Sequence, residues 1–422
     1  MDDTRDQPDA TRDQPDGSGI GSGYACVVRL ITRAVPSHTH DRRTETAPTF
    51  GQETDGPVHG TVCGMGAVES HLRFGLDLYR VLASRVENAC FSPYSIASAL
   101  GLVTQAAKGK TREELIALLG DPDELADLLG KASSLLEDGP ELAVANTLWA
   151  WDGLPLEDSF REELATWPGG KVESAPFGDD PEAARALINA DVARATRELI
   201  PELLKPGTVA QDTVAAIVNA LYLKTAWTNP FSRDNTAPAD FHAPSGTRTV
   251  PTMWLEKQLD HTHEDGWQVV RLGAEGGVEA IVLLPDGDLD DAELDAGKLA
   301  RLLENTRSKT IALSLPKLDL DVDSPLTAKL QDLGVRTMFT AAADLTGLAD
   351  DDRLEVSEVL HQSVLRIDEQ GLEGAAATAV LMRLTSLIVD EPLEVAVDRP
   401  FLLLVRHAST GVIYFLARVV EP

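Results

Sequence analysis

Two histidine pairs, His38 with His40 and His261 with His263, and an aspartate-rich run over residues 286–295 are the groups whose type and spacing could hold a metal ion. No Asp, Glu or Cys sits where it would complete a tetrahedral site around either pair, so both pairs are expected in solvent. The run places Asp286, Asp288 and Asp290 at positions one, three and five of a calcium loop. Asp291 stands where that loop needs glycine, however, and Gly297 where it needs a bidentate glutamate. No metal site is expected. The chain also lacks a G-x-S-x-G elbow, an H-E-x-x-H helix and a phosphate-binding glycine loop, which removes the common hydrolase and nucleotide chemistries. Cys26, Cys63 and Cys90 show no C-x-x-C spacing and allow one disulfide at most. Neither an enzyme nor a cofactor is expected.

The informative stretch is residues 367–392, IDEQGLEGAAATAVLMRLTSLIVDEP. Read as a helix, residues 375–382 have fair propensity and would form a buried helix or an alanine-rich linker. Read with period two, Leu372, Gly374, Ala376, Thr378, Val380, Met382 and Leu384 form one small or apolar face. Glu373 and Arg383 then fall on the other face with Ala375, Ala377, Ala379, Leu381 and Thr385, the alternation of a strand with one buried side. Small side chains near its start would let such a strand slide between two others, with Gly371 and Gly374 as a flexible hinge.

The elements around this stretch point to one large α+β body. Lys plus Arg number 37 and Asp plus Glu 68, a net charge of −31 that repels phosphate backbones and anionic lipid surfaces. Nucleic-acid and membrane partners are therefore not expected. No apolar run reaches the length of a membrane span, and the acidic start MDDTRDQPDA is unlike a secretory signal. Residues 1–64 contain TRDQPDA, a near copy of it, and GSGIGSG, and are read as a disordered low-complexity tail. That tail carries ten acids against six arginines, so −27 of the charge belongs to residues 65–422. Helical spacing of Leu72, Leu76, Tyr79 and Leu82 starts the domain near Met65, a candidate initiator that N-terminal sequencing would check. Further helices are expected at 95–105, 111–119 and 181–200. Strands are expected at 142–149, 214–223, 280–284, 311–315, 359–367, 401–405 and 412–419. Residues 214–223, VAAIVNALYL, are apolar on both faces apart from Asn219. Such a run suits a central strand covered on both sides, and its asparagine needs a buried partner.

Five motifs in order now carry a family resemblance: NACFSPYSI at 88–96, AAKGKT at 106–111, VNALYLKTAW at 218–227, EQGLEGAAAT at 369–378 and DRPF at 398–401. From about Ser70 to Pro422 the chain resembles the serpins. The resemblance implies a fold with a large mixed β-sheet, two smaller sheets, about nine helices and an exposed reactive-centre loop. It also implies a suicide inhibitor. A serine protease cuts the loop, is held as the acyl-enzyme, and is trapped when the cut loop inserts as a new strand in the large sheet.

Matched residue by residue, the loop hinge is Glu369, Gly371, Leu372, Gly374, Ala375, Ala376, Ala377 and Thr378. Ser92, Ser95, Asn219 and His361 match the shutter that clasps the sheet, and Trp227 matches the breach where insertion begins. Leu372 replaces the usual Thr or Ser, and Gly374 a commoner Ala. The family's loop length counted from Glu369 places the reactive bond at Thr385-Ser386, with Arg383 and Leu384 as neighbouring alternatives. Counted back from Pro400 it falls near Val389. Thr or Leu at that bond would suit elastase-, chymotrypsin- or subtilisin-like targets and Arg383 a trypsin-like one. By the same resemblance the protein is expected to be an extracellular monomer, with a cytoplasmic location as the alternative. Its acidity argues against polyanion activation. A non-inhibitory serpin acting as a binding or chaperone-like protein is the other reading.

Overall fold

The computed structural model describes residues 24–34, 66–134, 141–351, 353–372 and 391–422. Among the described residues the helices are α1 (Ala67–Leu82), α2 (Pro93–Ala106), α3 (Gly109–Leu119), α4 (Pro122–Ser133), α5 (Asp158–Leu164), α6 (Pro181–Ala195), α7 (Ala296–Glu304) and α8 (Thr327–Asp332). The first eight strands are β1 (Tyr24–Ala34), β2 (Ala89–Phe91), β3 (Glu141–Ala150), β4 (Gly170–Ser174), β5 (Thr213–Ala226), β6 (Ala237–Ala243), β7 (Gly246–Glu264) and β8 (Trp267–Gly273). The rest are β9 (Val278–Pro285), β10 (Arg307–Pro316), β11 (Leu318–Pro325), β12 (Leu354–Ile367), β13 (Gly371–Leu372), β14 (Leu393–Ala396), β15 (Phe401–His407) and β16 (Ile413–Val419). All seven strands and the three helices expected from the sequence are present. Helix α6 stops at Ala195, short of the expected Ile200, because Arg197 and Glu198 take left-handed φ values of 51° and 63° that end the helical path.

The main sheet runs β11-β12-β1-β5-β3-β4, with β13 also paired to β5. It is mixed: β3 and β4 are parallel and the other pairs antiparallel. Strand β5 is buried along nearly its whole length, as its two-faced apolar run requires. Ala216, Val218 and Ala220 pack under α6 with Ile188 and Val192, while Ile217, Leu221 and Leu223 face the larger core that includes α2. The second ladder runs β14-β10-β7-β8-β9-β15-β16-β2. The long β7 pairs with β6, β10 and β8, so these strands form one nine-stranded sheet where two smaller sheets are expected.

One expectation is corrected. Residues 1–64 were expected as a disordered tail, yet Tyr24–Ala34 forms β1 in the centre of the main sheet, with Leu30, Ile31 and Thr32 buried. Its sequence YACVVRLITRA is rich in β-branched and apolar residues, and averaging over the flanking polar repeats and glycines hides that run.

Candidate functional site: the hinge and the strand slot of the main sheet

The chain leaves β12 at Ile367 and turns tightly. Asp368 closes the turn, its Oδ1 accepting from the amides of Gln370 at 2.8 Å and Gly371 at 3.3 Å. Gly371 has φ +147°, and a Cβ there would lie 2.4 Å from the Thr225 carbonyl oxygen, so only glycine lets the hinge approach β5 this closely. Gly371 and Leu372 then pair with Ala226 and Thr225, and Leu372 is fully buried. The leucine that replaces a small polar residue at this position is thus accommodated in the core.

Beside this turn lies Trp227, 2% exposed. Its amide donates to the Gln370 carbonyl at 3.0 Å and its indole N–H to the Asp368 carbonyl at 2.9 Å. Its ring meets Phe231 edge-on at 6.4 Å, and the Phe231 amide donates to the Glu369 carbonyl at 2.8 Å. The buried Glu369 carboxylate accepts from Thr236 Oγ1 at 2.8 Å and pairs with Lys317 Nζ at 3.0 Å. Burial alone would raise its pKa, but those donors outweigh it and hold the carboxyl below its ordinary range. The structure therefore brings Trp227, Glu369, Gly371 and Leu372 together. Thr236 and Lys317 had no signal in the sequence because they arrive from 133 and 52 residues away. Gly374, Ala375, Ala376, Ala377 and Thr378, like Arg383, Leu384, Thr385 and Ser386, lie outside the described residues.

Lower in the sheet, Ser92 caps α2, its Oγ accepting from the Ser95 amide at 3.0 Å. The Ser92 amide donates to His361 Nε2 at 2.9 Å, and Ser363 Oγ stands 2.8 Å from the same nitrogen. Asn219 does not reach this cluster. Its Nδ2 donates to Asn146 Oδ1 on β3 at 2.9 Å, an oxygen that also accepts from Ser98 Oγ at 3.2 Å. Asn146 in turn donates to the Pro168 carbonyl at 2.8 Å. Asn146 is the buried partner that Asn219 required, and it arrives from 73 residues away, beyond the reach of any local pattern.

The strand slot between β5 and β12 is filled by β1, antiparallel to both. Along β5, β1 covers Thr213 to Leu223 and β13 covers Thr225 and Ala226, so the two lie end to end in one lane and run in the same direction. Continuing the β13 register would set Gly374 opposite Leu223, the residue that Tyr24 already faces.

Of the histidine pairs, His38 and His40 lie outside the described residues. His261 corrects the solvated expectation: it is 2% exposed, neither ring nitrogen has a hydrogen-bond partner, and burial pushes its pKa down to about 4. It shares strand parity with the buried Met253, Leu255 and Leu259, a period-two signal that would have placed it inside. His263 is exposed and bonds Asp286 at 2.8 Å. Among the described residues no three His, Cys, Asp or Glu side chains cluster as a metal site would require, and no helix is long and apolar enough to cross a membrane.

Comparison with known proteins places this architecture. Residues 69–422 match the family model described as Serpin (serine protease inhibitor). An alpha-1-antitrypsin-like protein of Ictidomys tridecemlineatus is 34% identical over 83% of this chain and 87% of that relative. An uncharacterized serpin-like protein of Thermococcus kodakarensis is 31% identical over 83% and 84%. Human thyroxine-binding globulin in complex with its hormone superposes with a TM-score of 0.73 at 27% identity, covering 84% of this chain and 98% of that one. Uncleaved ovalbumin shares the fold at a TM-score of 0.74 and 23% identity, over 85% and 100%. With the match running through the α+β body and its hinge, the chain belongs to the serpin family.

Proposed function

We propose that the protein is a suicide inhibitor of serine proteases, whose cleaved loop enters the main sheet along the β5 lane. The observation that carries this reading is β13: the first two loop residues are already paired with β5, and Leu372 is already inside the core. The sequence that follows presents Gly374, Ala376, Thr378, Val380 and Met382 on the same face. Insertion adds backbone hydrogen bonds worth about 1 kcal/mol net each against an ordering cost of about 1 to 2 kcal/mol per residue. The drive must therefore come from burying that apolar face, at about 25 cal/mol per Å². The reactive bond is assigned to Thr385-Ser386, with Arg383 and Leu384 as neighbours, which suits elastase-, chymotrypsin- or subtilisin-like enzymes met outside the cell. The inhibitor works as a monomer, and its acidity disfavours a polyanion as activator.

A second reading, a non-inhibitory serpin that acts by binding, is favoured by one observation: β1 stands in the lane that insertion needs. Formation of an SDS-stable complex with a panel of serine proteases separates the two. The panel is run on the chain as it stands and on a Leu30→Asp variant, which unseats β1.

A further inference from the structure

We propose that the slot between β5 and β12 is a peptide-binding site whose resident ligand is this chain's own Tyr24–Ala34, and that this strand and the cleaved loop compete for it. The consequence for inhibition rests on the loop-insertion reading above; the assignment of the slot and its ligand does not.

The strand is held on both sides. Residues Tyr24 to Arg33 find partners on β5 and Ala25 to Ala34 on β12, with one irregularity at Ile31/Thr32 and one at Thr32/Arg33. Ser357 Oγ on β12 adds a hydrogen bond to the Ile31 carbonyl at 3.1 Å. Leu30 is 0% exposed and joins the same core cluster as Leu372, Ile217 and Leu221, so strand and hinge bury side chains into one core. The strand also comes from outside the family body, whose match begins at residue 69.

Competition follows from register. Facing β5, the loop positions are displaced from those of β1 by a constant 350 residues, because Tyr24 faces Leu223 and the extended β13 register sets Gly374 there. Leu30, Ile31 and Thr32 thus hold the places of Val380, Leu381 and Met382. Two triplets, one apolar and one apolar but for Thr32, are written for one stretch of β5, and the backbone groups on the facing edges of β5 and β12 can pair with one inserted strand at a time. While β1 is seated, a cut loop has no lane to enter, and the chain behaves as a substrate. When β1 leaves, the slot opens and trapping becomes available.

The test uses the full chain, its Leu30→Asp variant and a synthetic peptide of residues 24–34. The variant places a charge in the core and should melt about 5 to 10 °C lower than the parent. The free peptide should restore its melting temperature, and a scrambled peptide should not. After proteolytic nicking of the loop, the parent should gain little stability, whereas the variant should gain a large rise that prior peptide binding abolishes. Should the variant fail to fold, hydrogen exchange on the parent decides: the slot assignment requires amides 25–33 to be protected as strongly as those of β5. Rapid exchange there overturns it, as does a nicking-induced rise in the parent as large as in the variant. If nicking stabilises neither protein while the peptide still restores the variant, the loop-insertion reading fails and the strand site stands. A dimer that dissolves on Leu30→Asp substitution overturns the assignment of the ligand to the same chain.

Discussion

Asn219 on β5 and His361 on β12 face the same residue, Val28, from opposite sides of strand β1. One strand thus separates these two buried polar groups, which the family resemblance assigns to a shutter, by two strand spacings, about 10 Å. Each has found another partner: Asn219 bonds Asn146, and His361 accepts from the Ser92 amide. The buried polar contacts are thus divided into two halves, one on each flank of β1.

The Asn146 half is the more exposed to mutation. Asn146→Ala removes a buried acceptor shared by Asn219 and Ser98 and a part-buried hydrogen bond to the Pro168 carbonyl. The expected loss is about 2 to 4 kcal/mol, read as a lower urea midpoint with unchanged slope.

Glu369 ties the hinge to Lys317 and Thr236. Its carboxyl is held below the ordinary value of 4.5, so its contribution is present above that pH and lost as pH falls through the lower folded value. Because Lys317 is 38% exposed on its side chain, screening limits the pair to about 1 kcal/mol. Glu369→Gln should remove this part of the acid sensitivity and speed hydrogen exchange at Gly371 and Leu372.

His71 on α1 is fully buried, accepts from the Ile413 amide at 3.1 Å, and is pushed by burial from 6.5 down to about 4. The folded state keeps this ring neutral while the unfolded chain takes up a proton. Stability is therefore complete above pH 6.5 and declines as pH falls toward 4, by about 2 kcal/mol between pH 7 and pH 5. Denaturant midpoints across that range check it, and His71→Gln should flatten the profile. The buried His261 acts with the same sign and leaves a residual slope.

Ala376→Glu places a charge on the face that the inserted loop buries, at a cost of several kcal/mol. Made in the Leu30→Asp background, where the lane is open, the variant is expected to be cleaved normally and to trap severalfold less protease per molecule than Leu30→Asp alone, measured as the stoichiometry of inhibition. Unchanged stoichiometry would contradict the assigned face.

Much of this was written in local pattern. The two-faced run of β5 announced a central strand, and the helical pattern over 95–105 gave α2 to within two residues at its start and one at its end. The tight turn before β13 has one local signal, Gly371, whose positive φ and close approach to β5 only glycine allows. What escaped was set by distance or by averaging. Asn146 is 73 residues from Asn219, and Lys317 is 52 from Glu369, pairings that no local period reports. Strand β1 is an eleven-residue stretch, apolar but for Arg29, Thr32 and Arg33, inside a polar segment, and its place in the sheet is decided by two partners nearly 200 and more than 300 residues away. His261, by contrast, carries a local signal, its period-two parity with the buried Met253 and Leu255.

The central claim is tested most directly by incubating the chain and its Leu30→Asp variant with elastase-, chymotrypsin-, subtilisin- and trypsin-like proteases and resolving the products on a denaturing gel. The account predicts a covalent complex with at least one of them, formed far more readily by the variant, and release of a peptide whose mass begins at Ser386 or a neighbouring residue. Cleavage products alone from both proteins, across the whole panel, would contradict it.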